Sequence, residues 1–126
     1  MLLEPLNIEE TRKTPEVRLD PDGYIRFEGR SIPEDASLFF DDIIDWLQKY
    51  LTLAKERTTI DIALEYLNSG TSKYMLQILK ILKELNLAGH KLIVNWYYEE
   101  GDDDILERGE YYASILDIEI NYIETE

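Results

Sequence analysis

The sequence predicts an α/β fold: one domain spanning residues 1–126, in which an N-terminal β-hairpin is followed by alternating helices and strands, giving a mixed sheet covered by helices. Three observations lead there. The stretch "RLDPDGYIRF" places turn residues between two alternating runs. Beyond it, apolar residues recur at helical spacing and at period two in turn along the chain, the pattern of parallel strands joined by crossover helices. Finally, 126 residues with 44% hydrophobic content suffice for a single core.

A short strand is allowed around Leu6 to Ile8. In Asp20-Pro21-Asp22-Gly23, the proline presets φ and the glycine supplies a positive φ, so Val17 and Leu19 on one side and Ile25 and Phe27 on the other form a hairpin. Next, Phe39, Phe40, Ile43, Trp46, Leu47, Tyr50, Leu51 and Ala54 define one face of an amphipathic helix. Two starts compete for it: Ser31 with Glu34 at capping-box spacing, and Asp35 one turn later.

"TTIDIALEYL" alternates Ile60, Ile62, Leu64 and Tyr66 on one face, with Ala63 and Leu67 on the other, as in an interior strand. The helix after it turns Tyr74, Met75, Ile78, Leu79, Leu82 and Leu85 inward and stops near Gly89. "KLIVNWYY" is a second interior strand. An acidic turn then leads into a helix with Ile105, Leu106, Tyr112, Ile115 and Leu116 on its buried side. "DIEINYIE" closes the chain as a strand through Ile118, Ile120 and Tyr122.

Composition removes several functional classes. The 27 acidic against 13 basic side chains give a net charge of −14, and with no segregated basic cluster a nucleic-acid backbone is repelled. Without cysteine there is neither a disulfide framework nor a thiolate metal site. The opening "MLLEPLNIEETRK" lacks the features of a secretory signal, and no apolar run approaches a membrane span. A cytoplasmic protein with no membrane or nucleic-acid partner is the expectation. No nucleophile elbow, P-loop, dinucleotide fingerprint or zincin motif occurs, so neither an enzyme nor a cofactor is expected. His90, the sole histidine, reads as a surface loop residue. Trp46, Trp96, Tyr97 and Tyr98 read as core, with Tyr98 the one that alternation can expose.

Function therefore falls to the loops leaving the C-terminal ends of the parallel strands, which gather on one edge. Two qualify. Asn68, Ser69, Gly70, Thr71 and Ser72 crowd a helix start where one cap suffices. Capping explains one of them, and a phosphoacceptor explains the excess, because a phosphate at a helix N-terminus meets free amides and the positive end of the helix dipole. Ser69 and Thr71 are the candidate acceptors, while Ser72 lies deeper and is available as a cap. Gly70 would let a kinase or phosphatase approach the backbone. The second loop, Glu99, Glu100, Asp102, Asp103 and Asp104 around Gly101, is a solvated helix start, a partner-recognition or gating element, or, with the least support, a divalent-cation site without calcium-loop geometry.

Three blocks, "TPEVRLDPDGYIRFEGRSIPEDASLFFDDIIDWLQKYL", "EYLNSGTSKYMLQILKILKEL" and "VNWYYEEGDDDILERGEYYASIL", in this order and spacing resemble the SiaC family of bacterial regulatory phosphoproteins. The resemblance runs from about Glu4 onward. It implies an architecture similar to the STAS domains of anti-anti-sigma factors and reversible Ser/Thr phosphorylation at a helix start. It also implies a partner Ser/Thr kinase and a PP2C-type phosphatase. The unphosphorylated form is implied to bind and activate a diguanylate cyclase or another effector protein. The family's acceptor comes directly after the asparagine of a stretch that here is Tyr66-Leu67-Asn68-Ser69, so Ser69 holds that position. Where relatives carry further hydroxyls, this chain has Gly70 and then Thr71, which leaves both Ser69 and Thr71 as acceptors. Asn68, Gly70, Ser72 and Lys73, with Glu99, Glu100, Asp102, Asp103 and Asp104, make up the expected partner surface. The competing classes are a constitutive scaffold or small-ligand binder of the same fold, and a Mg²⁺-dependent enzyme using the acidic loop.

Overall fold

The computed structural model describes residues 2–126. It contains β1 (Leu6–Ile8), β2 (Glu16–Asp20), β3 (Tyr24–Ser31), α1 (Ala36–Leu53), β4 (Arg57–Leu67), α2 (Ser69–Leu87), β5 (Lys91–Glu99), α3 (Asp103–Leu116) and β6 (Asn121–Thr125). All six strands join one sheet in chain order, β1-β2-β3-β4-β5-β6. The β1–β2 and β2–β3 pairs are antiparallel, and β3–β4, β4–β5 and β5–β6 are parallel.

Chain order has a consequence for layering. Each parallel crossover is right-handed by default, and all three step the same way across the sheet, so the helices lie together on one face. Buried residues alternate accordingly: Ile25 and Phe27 on β3, Ile60, Ile62 and Leu64 on β4, and Val94 and Trp96 on β5 point to the helices. The opposite face carries Arg26, Glu28, Asp61, Ala63, Asn95 and Tyr97, none of them buried, and no helix covers it.

The predicted hairpin is present, with the Gly23 amide donating to the Asp20 carbonyl at 3.0 Å and Gly23 at φ 107. Asp35 caps α1, accepting from the Ser37 amide at 3.1 Å. Ser31 takes no part in that cap because it ends β3, fully buried. Phe40, Ile43, Trp46, Leu47 and Tyr50 form the buried face of α1, each worth roughly 1.5–3 kcal/mol of apolar burial. The α2 helix ends as expected, Gly89 adopting φ 91.

Four expectations need correction. Tyr66 is 63% exposed and not aligned with Leu64, because the β3–β4 register skips Glu65: Gly29 faces Leu64 and Arg30 faces Tyr66. The extra residue reverses the facing of the last residues of β4, so Leu67 is the buried one. Ile115 is 49% exposed, and Gly109 takes the place expected of a large side chain on the buried face of α3. A Cβ at Gly109 would lie 2.8 Å from the Trp96 ring, so this close approach needs glycine. Tyr98 packs partly against the core while Tyr97 faces outward, the reverse of the alternation expected. Finally, β6 begins at Asn121, since Asp117 ends α3 in the left-handed conformation and the chain must turn before pairing.

No helix among the described residues is long and apolar enough to cross a membrane.

Candidate functional site

Because β4 and β5 are adjacent and parallel, the loops that leave them open onto the same edge of the sheet. The β4 loop is short. Asn68, with φ −90 and ψ 177, is the N-cap of α2, and its Oδ1 accepts from the Thr71 amide at 3.0 Å. Its Nδ2 donates to the Pro33 carbonyl at 3.0 Å, and its own amide donates to the Ser31 carbonyl at 3.0 Å. One residue thus caps the helix and ties its start to the segment between β3 and α1.

The hydroxyls then divide by environment. Thr71 is 0% exposed; its Oγ1 donates to the Ser31 carbonyl at 3.0 Å and lies 2.8 Å from the Ser31 Oγ, whose proton it accepts. Ser72 is half-buried, with its Oγ 2.6 Å from the Tyr112 hydroxyl and accepting from Arg108 Nη1 at 3.0 Å. Ser69, in the first turn of α2, is exposed and enters no side-chain hydrogen bond among the described residues. The amides of the first helical turn have no intrahelical acceptor, so a group on Ser69 Oγ lies beside unpaired donors and the positive dipole end.

One expectation changes with this geometry. The extra hydroxyls do not cap α2: Thr71 holds it to β3, and Ser72 holds it to α3. Gly70 has a packing reason, since a Cβ there would lie 3.1 Å from the Ala36 Cβ at the start of α1. Lys73, one turn in, is exposed.

The acidic loop is a turn closed by the Asp102 amide donating to the Glu99 carbonyl at 2.9 Å, with the Glu100 amide reaching the Thr125 carbonyl at 2.8 Å. Asp102 caps α3, its Oδ1 accepting from the Ile105 amide at 3.1 Å, and the exposed Asp103 and Asp104 occupy the first turn. Negative charge there complements the helix dipole. Among the described residues no group of three or more His, Asp or Glu side chains is arranged to hold a metal ion.

Residues outside the predicted set complete the site. Ser31, Arg108 and Tyr112 fix the α2 start from β3 and α3. The Tyr112 hydroxyl is pushed above its ordinary pKa, chiefly by burial, and so stays a neutral partner for Ser72. Arg108 is the lone cation of the otherwise acidic α3, a signal visible in the sequence, but its contact with Ser72 depends on how the two helices pack. His90 is half-buried, its Nδ1 2.8 Å from the Lys55 carbonyl at the far end of the sheet.

The sequence profile described as "SiaC family regulatory phosphoprotein" matches residues 8–125. A protein of Pseudomonas aeruginosa strain UCBPP-PA14, itself uncharacterized, is 29% identical over 111 residues, covering 87% of this chain and 88% of that protein. A chain in the crystal structure of the P. aeruginosa diguanylate cyclase SiaD in complex with its activator SiaC superposes at a TM-score of 0.88, with 26% identity over 95% of this chain and 99% of that one. Apo-SiaC from the same organism superposes at 0.80, with 25% identity over 98% and 99% of the two chains.

Proposed function

The chain belongs to the SiaC family of regulatory phosphoproteins, and from that premise we propose that it is a non-enzymatic phospho-switch whose acceptor is Ser69. In its unphosphorylated form it binds and activates an effector protein, a diguanylate cyclase by analogy with the SiaD–SiaC complex. A Ser/Thr kinase charges the switch and a PP2C-type phosphatase resets it.

One observation carries the choice of Ser69. Of the three hydroxyls at the start of α2, it alone is exposed, while Thr71 is fully buried and Ser72 is engaged with Tyr112 and Arg108. A kinase must reach the acceptor oxygen, and phosphorylating Thr71 would first require breaking both of its bonds to Ser31. A phosphate on Ser69 adds about −1.5 to −2 charges at an edge that already carries Glu99, Glu100, Asp102, Asp103 and Asp104. An effector matched to the unmodified edge then meets added repulsion and a bulkier contact, which is how modification releases it. The α2 N-terminus meanwhile tolerates the dianion, so the domain stays folded.

The test is phosphosite mapping by mass spectrometry after incubation with the cognate kinase. Modification at Ser69 supports the reading, and modification confined to any other residue overturns it.

A further inference from the structure

None of the residues lining the face of the sheet away from the helices belongs to the start of α2. Parallel strands are rarely left with one face open to solvent, yet here β3 to β6 are covered only by α1, α2 and α3. The open face is organised. The Asn121 Nδ2 donates to the Asn95 Oδ1 at 3.1 Å, the Asn95 Nδ2 to the Asp61 Oδ1 at 2.9 Å, and the Tyr24 hydroxyl to the Asp61 Oδ2 at 2.7 Å. This chain of bonds crosses four strands and fixes the Asp61 carboxylate at the centre of the face.

Beside Asp61 the small Ala63 leaves a depression of about 470 Å³, walled by Tyr24 and Tyr97 and running out to Asp102 at the acidic edge. Its charges are lopsided. Glu28, Asp61, Glu65, Glu99 and Asp102 line it against a single cation, Arg26, which is already paired with Glu28 and, at 3.6 Å, with Glu16. Tyr24 is pushed up to about 12 by burial and by its bond to Asp61, so it contributes a neutral aromatic wall. An anion is repelled, and an apolar group would strip water from carboxylates without pairing them.

We infer that this face is a docking surface, meeting the acidic edge at Glu99 and Asp102, for a protein partner presenting an arginine whose guanidinium enters between Tyr24 and Tyr97 and pairs with Asp61, while Glu65, Glu99 and Asp102 supply the surrounding negative potential. A planar guanidinium stacks on tyrosine faces while donating to carboxylates, which a lysine ammonium does less well. Shape argues for a protein-borne source. The depression is about half open to solvent, whereas small-molecule sites enclose most of their ligand; a side chain arriving with its own protein brings the missing wall. The inference does not depend on which residue is the phosphoacceptor.

The test is an amide-correlation NMR titration of the full chain with N-acetyl-L-arginine amide, using N-acetyl-L-citrulline amide as the neutral isostere. Saturable shifts confined to Tyr24, Asp61, Ala63, Tyr97 and Asp102, caused by the arginine compound and not by citrulline, are expected. Binding should weaken about tenfold in Asp61→Asn, and also in the double variant Glu65→Gln with Glu99→Gln, whose exposed positions leave folding intact. Three outcomes overturn the inference: no localised shifts, shifts equal to those at the solvent-facing Asp41, Asp42 and Asp45 of α1, or variants that titrate like the wild type. Free agmatine binding a hundredfold tighter than the blocked arginine overturns the protein-borne source and makes the cleft a small-ligand site.

Discussion

The Thr71 hydroxyl lies 2.8 Å from that of Ser31, 40 positions earlier in the chain, and also donates to the Ser31 carbonyl at 3.0 Å. Both residues are fully buried, so the Ser31 hydroxyl depends on Thr71 Oγ1 as its acceptor and the Thr71 proton depends on the Ser31 carbonyl. Thr71→Val, which keeps the shape and removes the donor, should destabilise the fold by about 1–3 kcal/mol in urea unfolding while leaving phosphorylation at Ser69 unchanged. Loss of phosphorylation in a folded Thr71→Val protein would contradict the assignment.

Ser69→Ala should abolish modification and leave stability within about 0.5 kcal/mol of the wild type, because an exposed first-turn hydroxyl without a partner contributes little to folding. Effector binding, measured calorimetrically, should be retained.

Ser69→Asp should weaken the effector complex by roughly tenfold if charge gates it. Adding Asp102→Asn and Asp103→Asn should recover part of that loss, and Asn at position 102 still caps α3. Absence of any recovery would assign the effect to steric clash or lost hydrogen bonds.

Gly109→Ala drives a methyl to 2.8 Å from the Trp96 ring, whose Nε1 also donates to the Ile105 carbonyl at 2.9 Å. Overpacking of this kind should cost about 1–3 kcal/mol and displace α3 from β5, read as a lowered melting temperature and altered tryptophan emission. Unchanged values would mean that α3 can shift without loss.

Tyr24 titrates at about 12, raised first by burial and then by its hydrogen bond to and repulsion from Asp61. In Asp61→Asn the Tyr24 ring, followed by carbon-13 NMR, should titrate closer to the ordinary tyrosine value of about 10. Since the native state holds this proton more tightly than the unfolded chain, Tyr24's contribution to stability is fully present below about pH 10 and disappears as pH rises through about 12.

Much of the fold is legible along the chain. The hairpin is set by Pro21 and Gly23, α1 by the spacing of Phe40, Ile43, Leu47 and Tyr50, and the family by three separated blocks. Two of the errors share a cause. Tyr66 and Leu67 exchange places because Glu65 is an extra residue opposite β3, and no alternation pattern in β4 alone reports what its neighbour does. Ile115 loses its place on the buried face of α3, whose approach to β5 is set by Gly109 against Trp96.

The candidate site divides in the same way. By itself the sequence determined that hydroxyls crowd the start of α2 behind Asn68 and that acidic residues start α3, because capping and dipole chemistry act within a helical turn. Only the tertiary structure decided which hydroxyl is free. Thr71 is buried by Ser31 from β3, and Ser72 is engaged by Tyr112 and Arg108 from α3. It also left one face of the sheet uncovered, since three crossovers of the same hand, stepping in the same direction, place every helix on the other side. Periodicity reports how a residue points within its own element; what it meets there depends on strand order and register, which bring together residues far apart in the chain.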